Sequence, residues 1–503
     1  MNLAGCGLST PPVWSAHPSE LHQNSPQSGL TTGTKLAVIC TMANYSWRSL
    51  VVIALALSLV AGILACPTPR QPPTDQPSPD TGLPRAPSTR VDRPADRPPT
   101  AEIPRDEPPR VRAESPGDVR IGLATAAQEA TLAATGAWRL FDGKNAVLVR
   151  GRPGEEWTVE RRGRQLRATL RGTSATSWVD GPITLRPEGD ASYGTFAGRR
   201  YRGVMRVVTT DSGLVVVNVL PVEQYLRGVV PLEIGLRAPA EQAAAEAQAI
   251  AARSYSWVHM SPGGTARNAA YDMLAGVSDQ VYGGVDAERP FSDAAVRETS
   301  GLVIKFNGRT AEAPYHASCG GETASPEEVW KAAPEPYLKR VSDKIPGSAN
   351  RSYCDIAPRF AWTRAFSADE LDAAVRTYLR NFVAVPDGGP GHVHAITIET
   401  RTPSGRVGQL VITTDRGKYN LRGNDIRAVL RAPGSEMLNS TYFSLEPEKG
   451  RDGGISRVVL RGNGYGHGIG MCQWGAIGRA RAGQTARAIL ATYYPGTTVG
   501  PAN

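Results

Sequence analysis

Between Cys66 and Pro116 the chain carries few large apolar residues, and much of its proline lies there among Arg, Asp, Ser and Thr. Such a stretch cannot bury enough surface to offset the entropy of ordering it. Residues 67–117 therefore read as a disordered tether, and the fold is confined to roughly 118–503. That length is ample for a proper core, arranged as two subdomains.

The segment ahead of the tether fixes the compartment. Leu50 to Ala65 is apolar apart from Ser58, Arg48 precedes it, and Ile63-Leu64-Ala65-Cys66 closes it. A basic flank, a short apolar run and a small residue before the cut make an export signal, and about 16 residues is short for a membrane span. Cysteine directly after the small residue resembles a bacterial lipobox, with Cys66 as the lipidated residue. A cleaved signal and an uncleaved anchor are the alternatives. Residues 1–41 are long and polar for a signal, whereas Met42 opens a normal one. The working protein is thus expected to start at Met42, with 42–66 as signal and lipobox.

The net charge of +9 comes from 56 basic and 47 acidic residues. That balance suits nucleic acid, anionic lipid or an acidic polymer. The acidic residues are interspersed, and no Lys/Arg block is interleaved with aromatics, so nucleic acid is disfavoured as a partner.

Residues 118–189 and on to about 225 read as strands and turns, with alternating or β-branched runs broken by Gly, Asp and Pro. A breaker-free helix follows from Pro239 to Met260, one side almost all alanine (Ala244, Ala247, Ala251). A second helix opens at Ser367 as cap. HAITIET, RVGQLVITTD and GISRVVLRG are further strands, and a final helix runs near Trp474–Tyr493. Strands with inserted helices make the class α+β.

Three constellations carry chemistry. In Val229-Val230-Pro231-Leu232-Glu233-Ile234, a carboxylate sits among apolar residues. Burial would raise its pKa and make it a general acid near neutral pH, and a solvent-facing Glu in a helix-leading loop is the plainer reading. In Tyr315-His316-Ala317-Ser318-Cys319-Gly320-Gly321-Glu322, His316 and Cys319 could open a zinc site with Cys354. A His/Cys nucleophile is a further alternative. In an oxidising compartment Cys319 could instead pair with Cys354, leaving Cys472 free. No second metal-type pair accompanies them, and the alternatives stay open on the residues alone. Gly464 to Gly475 packs many glycines around His467 and Trp474, either bringing backbone close to a ligand or kinking a strand around a buried His. It is neither a dinucleotide fingerprint nor a phosphate loop.

Taken in order, these segments resemble the SpoIID/LytB family of bacterial cell-wall proteins. The matching stretches are NVLPVEQYLRGVVPLE with AQAIAARSYS, Asp279-Gln280-Val281-Tyr282-Gly283-Gly284, and HASCGGETA with Trp330 and Pro336-Tyr337-Leu338. GYGHGIGMCQWGAIGRARAG and Tyr493-Tyr494-Pro495-Gly496 complete them. The resemblance covers roughly 190–500.

The sporulation branch implies a lytic transglycosylase acting on peptide-stripped peptidoglycan glycan strands, with its catalytic glutamate at Glu233 and no cofactor. The LytB branch implies instead a non-catalytic wall-binding enhancer of an N-acetylmuramoyl-L-alanine amidase. Gln248, Arg253, Tyr255, Gln280, Tyr282, His316, Ser318, His467 and Gln473 fall inside the motifs as groove residues for sugars and lactyl carboxylates, about half of them expected to be scaffold. Two departures stand out. Glu233-Ile234-Gly235 replaces the family's Glu-Met-Pro, loosening the turn, and Glu246 stands where Lys is common, which reverses a charge near the groove. Some relatives hold zinc near the His316 segment, but Glu322 stands here without a second His or Cys nearby. The resemblance therefore favours no metal and a Cys319–Cys354 disulfide.

Overall fold

The computed structural model describes residues 117–502 except 190, 236, 261–268, 433–435 and 452. The export segment, Cys66 and the tether lie outside the described residues.

The strand Gly213–Pro221 organises the first half of the fold. Its sequence GLVVVNVLP is buried at every position but the last, as a strand covered on both faces must be. It pairs antiparallel with Asp118–Ala127 on one side and Val204–Thr210 on the other. The sheet then continues through Ile183–Pro187, Trp138–Phe141 and Val147–Gly151. The polar intruder Asn218 is fully satisfied, donating to the Arg202 and Val204 carbonyls and accepting from the Tyr282 hydroxyl. A second sheet of shorter strands includes Ala130–Ala134, Trp157–Arg162 and Gln165–Leu170. Strands from either side of residue 190 share the first sheet, so one core serves both.

Pro221 ends the central strand and leads directly into helix α1, Val222–Ile234. Val222, Tyr225, Leu226, Val229 and Val230 are buried at three- and four-residue spacing, which supplies one continuous apolar stripe. That stripe overrides Pro231. The segment read from sequence as a loop leading into a helix is the last turn of α1, and Glu233 lies one residue before its end. Gly235 stops the helix with φ +74, a conformation that glycine adopts without steric cost.

Helix α2, Gln242–Met260, follows a turn at Pro239–Glu241. It is buried nearly all round, as a helix crossing a core should be. Its alanines let α1, α3 (Pro290–Glu298) and the C-terminal helices approach closely. Arg253 of α2 is wholly buried, and its guanidinium forms a two-pronged pair with Glu223 of α1, both contacts at 2.7 Å. Two further donors reach the Val296 and Leu302 carbonyls. Glu223 keeps about a third of its side chain exposed, and the contact ties α1 to α2.

Residues 361–463 have a core of their own, built around Phe366, Leu371, Val375, Leu410, Ile412, Leu421 and Leu460. It holds two three-stranded sheets and helix α4, Ala368–Tyr378. Ser367 caps α4 as expected: its hydroxyl accepts from the Glu370 N–H while Glu370 accepts from the Ser367 N–H. The predicted strands appear as Val393–Arg401, Val407–Thr414 and Ile455–Asn463. The chain then returns to the first core. The single final helix expected near Trp474–Tyr493 is instead two, α5 (Gln473–Arg481) and α6 (Ala486–Tyr493). Thr485 starts the second by accepting from the Ala488 N–H, a local cap that competes with continuing the first helix. The class is α+β, rich in strands with helices inserted.

Candidate active site

Glu233 projects from the last turn of α1 and keeps partial exposure. The Val281 N–H donates to one carboxylate oxygen at 2.7 Å, and the Gln473 amide donates to the other at 3.3 Å. The same Gln473 nitrogen donates to Gln248 Oε1 at 3.3 Å. Three elements thus converge: the end of α1, the buried face of α2 and the start of α5. Burial pushes Glu233 up to about 7 even though both hydrogen bonds favour its ionised form. The desolvation wins because two donors replace only part of the hydration that a carboxylate loses. Tyr225 and Tyr315 stand close enough for Glu233 to raise their phenols beyond what burial does. The Tyr225 hydroxyl and the Gln248 Nε2 are buried with no hydrogen-bond partner among the described residues.

The expected groove residues divide sharply. Glu233, Gln248 and Gln473 form one connected group. Arg253 spends its donors on Glu223 and the Val296 and Leu302 carbonyls, and Tyr282 gives its hydroxyl to Asn218 while packing on Tyr225 and Tyr201. Gln280 donates to the Ala252 carbonyl and the Tyr315 hydroxyl and accepts from Ser256, which ties α2 to the His316 strand. Tyr255 donates to Asp279 and stacks on His259. These four act as framework. Glu246 lies beside Glu298 of α3, so the reversed charge belongs to the α2–α3 contact.

The glycine-rich loop wraps the His316 segment. Tyr315–His316 pairs in parallel with Met471–Cys472, and Ser318 exchanges backbone bonds with Tyr465. At Gly466, φ is +112 and a Cβ would lie 2.8 Å from the His316 Cβ. The glycine therefore makes room for protein. His467 donates from Nε2 to the Tyr315 carbonyl at 2.7 Å and accepts at Nδ1 from the Ile469 N–H. That fixes its tautomer, and burial pulls it down to about 4. His316 is buried, with Nδ1 held on the Ile469 carbonyl and Nε2 lacking a partner among the described residues, as does the Ser318 hydroxyl. Burial holds His316 well below the usual imidazole range, so it is neutral. Trp330 is exposed and lies against the His467 ring at 5.0 Å. Arg406, reaching in from the 361–463 lobe, donates to the Cys319 carbonyl at 2.9 Å.

The expected Cys319–Cys354 disulfide is not formed. The two sulfurs lie 3.4 Å apart against about 2.05 Å for a bond, and Cys319, Cys354 and Cys472 are all free and buried. Tyr315 stands close to Glu233 and Asp343 lies 3.8 Å from Cys319 Sγ, and neither is singled out by its residue type. Tyr315 stands inside a matching motif, while Asp343 has no local signal in the sequence at all.

Comparison with known proteins gives a consistent picture. Residues 210–306 match the family described as Stage II sporulation protein. Residues 349–470 match a Domain of unknown function (DUF8618), a span that takes in the separately cored lobe. The chain is 31% identical over 310 residues to an uncharacterized protein of Brachyspira hyodysenteriae, covering 61% of this chain and 73% of that one. It is 31% identical over 296 residues to Stage II sporulation protein D of Bacillus subtilis, covering 56% and 76%. It is also 31% identical over 305 residues to the amidase enhancer of the same organism, covering 54% of this chain but only 40% of that protein.

Proposed function

The chain belongs to the SpoIID family, and on that footing we propose that it is a cell-envelope lytic transglycosylase that cleaves peptidoglycan glycan strands through Glu233. The observation that carries this reading is a single partly exposed carboxyl pushed up to about 7 by burial, flanked by amide donors. A group with that pKa holds a proton at neutral pH and can still release it.

One carboxyl suffices when the nucleophile belongs to the substrate. Ordinary glycosidases need two carboxyl groups flanking the bond. Here Glu233 gives its proton to the glycosidic oxygen as the bond from that oxygen to C1 of N-acetylmuramic acid breaks. The sugar's own C6 hydroxyl then attacks C1 and returns its proton to the Glu233 carboxylate. The products are a new hydroxyl end and a 1,6-anhydro end, the enzyme regains its starting proton, and no water is consumed. The Val281 N–H and Gln473 amide hold the carboxyl and stabilise it in the interval when it is ionised. Gln248 orients Gln473, and Trp330 offers an exposed ring face on which a sugar can rest. A lipid on Cys66 and the tether of roughly fifty residues would hold the domain at the membrane within reach of the wall.

The test is digestion of purified, peptide-stripped glycan followed by mass spectrometry for 1,6-anhydromuramic ends. Wild type should produce them and Glu233→Gln should not. Equal rates from both proteins would sink the mechanism. The similarity to an amidase enhancer supports a second reading, a non-catalytic wall-binding module acting on an amidase. In that case the purified protein gives no anhydro ends, yet stimulates peptide release by the amidase whether or not residue 233 is Glu.

A further inference from the structure

Cys319, Asp343, Cys354 and Cys472 converge from four separate stretches of chain, and their ligand atoms all lie within 4.8 Å of one another in a fully buried cluster. From this convergence we infer that the protein binds one structural zinc ion through three thiolates and the Asp343 carboxylate.

The spacing fits. A tetrahedral ion with Zn–S near 2.3 Å sets its sulfurs about 3.7 Å apart. Cys319 and Cys354 stand 3.4 Å apart, and Asp343 Oδ2 is 3.8 Å from Cys319 Sγ. The surroundings fit as well. Asp343 Oδ1 accepts from the Tyr493 hydroxyl at 2.8 Å and from two Arg479 nitrogens at 3.0 and 3.3 Å. Those bonds turn Oδ2 toward the sulfurs, which is what outer partners do for a carboxylate ligand. Arg479 is itself held over the Tyr353 and Tyr493 rings. The Cys319 and Gly475 N–H groups both point at Cys472 Sγ, at 3.1 and 3.3 Å, and so favour negative charge on that sulfur. A Cβ on Gly475 would lie 2.5 Å from Asp343 Oδ2, so the backbone crosses here with no room for a side chain.

Neither apolar packing nor a disulfide accounts for all four groups. Buried cysteines can pack as small apolar residues, but that role does not recruit a buried aspartate, whose desolvation is costly. Arg479 and Tyr493 hold Asp343 Oδ1, but a Cys319–Cys354 disulfide would use only two of the four groups and leave Asp343 Oδ2 and Cys472 Sγ turned toward those sulfurs with no role. Three thiolates with one carboxylate suit zinc among the common divalent ions. Four protein ligands in a sealed site leave no open position for chemistry, so the ion is a staple. It would join the His316 loop, the 343–354 segment and the first residue before α5, whose next residue is Gln473.

The test uses the full chain, purified aerobically without chelator. Elemental analysis should find about one zinc per chain. Exchange with Co²⁺ should give the near-ultraviolet thiolate-to-cobalt band and the visible bands of a tetrahedral site. Cys354→Ser should lower zinc content at least fivefold, and Asp343→Asn should keep the thiolate band while altering the visible bands. If either variant fails to fold, the wild-type measurements still decide. A zinc-free wild type, a cobalt form with no thiolate band, or a non-reduced peptide map joining Cys319 to Cys354 each overturns the inference.

Discussion

Cys472 and Gln473 are neighbours in sequence and serve opposite kinds of site. Cys472 turns into a sealed cluster where all four converging groups are buried. Gln473 turns toward Glu233, which keeps an opening to solvent. Both clusters gather polar groups at a helix end, and both set a burial cost against a few directed bonds. In the sealed cluster burial raises Asp343 to about 7 although Arg479 and Tyr493 hold it, and the group is wholly buried. In the open one burial raises Glu233 to a similar value, and a raised carboxyl that solvent can reach is what chemistry can exploit. The contrast teaches that accessibility, more than polarity, separates a staple from a reactive site.

The largest expected effect comes from removing the open site's acid. Glu233→Gln should reduce anhydro-end formation by about 10²–10⁴-fold, the usual range for a general acid, with the fold kept. A parallel loss of fold would merge the two sites and break the comparison. Next, Cys472→Ala and Gln473→Ala should diverge although the positions adjoin. The first should cost about 3 kcal/mol or more in denaturant unfolding, because it dismantles the sealed cluster. The second should leave stability within about 1 kcal/mol and act on the reaction. Equal destabilisation by both would show that α5 responds as one unit.

A smaller effect concerns stability against pH. The folded Glu233 is raised above its unfolded value of about 4.5 to about 7, so the folded state binds more proton between those values. Stability from this group therefore falls as pH rises from about 4.5 to 7 and stays low above. Glu233→Gln should be more stable than wild type at pH 8 by roughly 3 kcal/mol, with the gap closing below pH 4.5. Thermal melts across that range check it. The smallest effect is on the rate profile. Cleavage should be flat below about pH 7 and drop tenfold per unit above it, because the resting acid must be protonated. Since the Gln473 bond lowers the Glu233 pKa, Gln473→Ala should move that limb to higher pH by less than about one unit. A downward shift would mean that water replaces Gln473 as the better donor.

Much of the open site could be read before any fold was known. Glu233, Gln248 and Gln473 sit in dense local motifs, and the structure joins them by hydrogen bonds. Ser367 announced its own helix because a cap is a contact between residues three apart. What resisted reading were matters of packing. Pro231 argued against a helix at Glu233, yet five buried apolar residues of α1 dictated one. The motif residues Arg253, Tyr282 and Gln280 looked like groove groups because polarity is visible in sequence and direction is not. Their donors are spent inside the framework.

The sequence by itself determined the class of the fold, the alternation of strands and helices, and the segments that would bear chemistry. All of these rest on contacts between near neighbours or on the periodicity of apolar residues. Only the tertiary structure decided that Asp343 completes the group formed by Cys319, Cys354 and Cys472, and that residues 361–463 close around a core of their own. The physical reason is that a metal-type cluster or a separate core is a fact about distance in space. Residues 319 and 472 meet only because a whole lobe folds between them and returns the chain to its starting point.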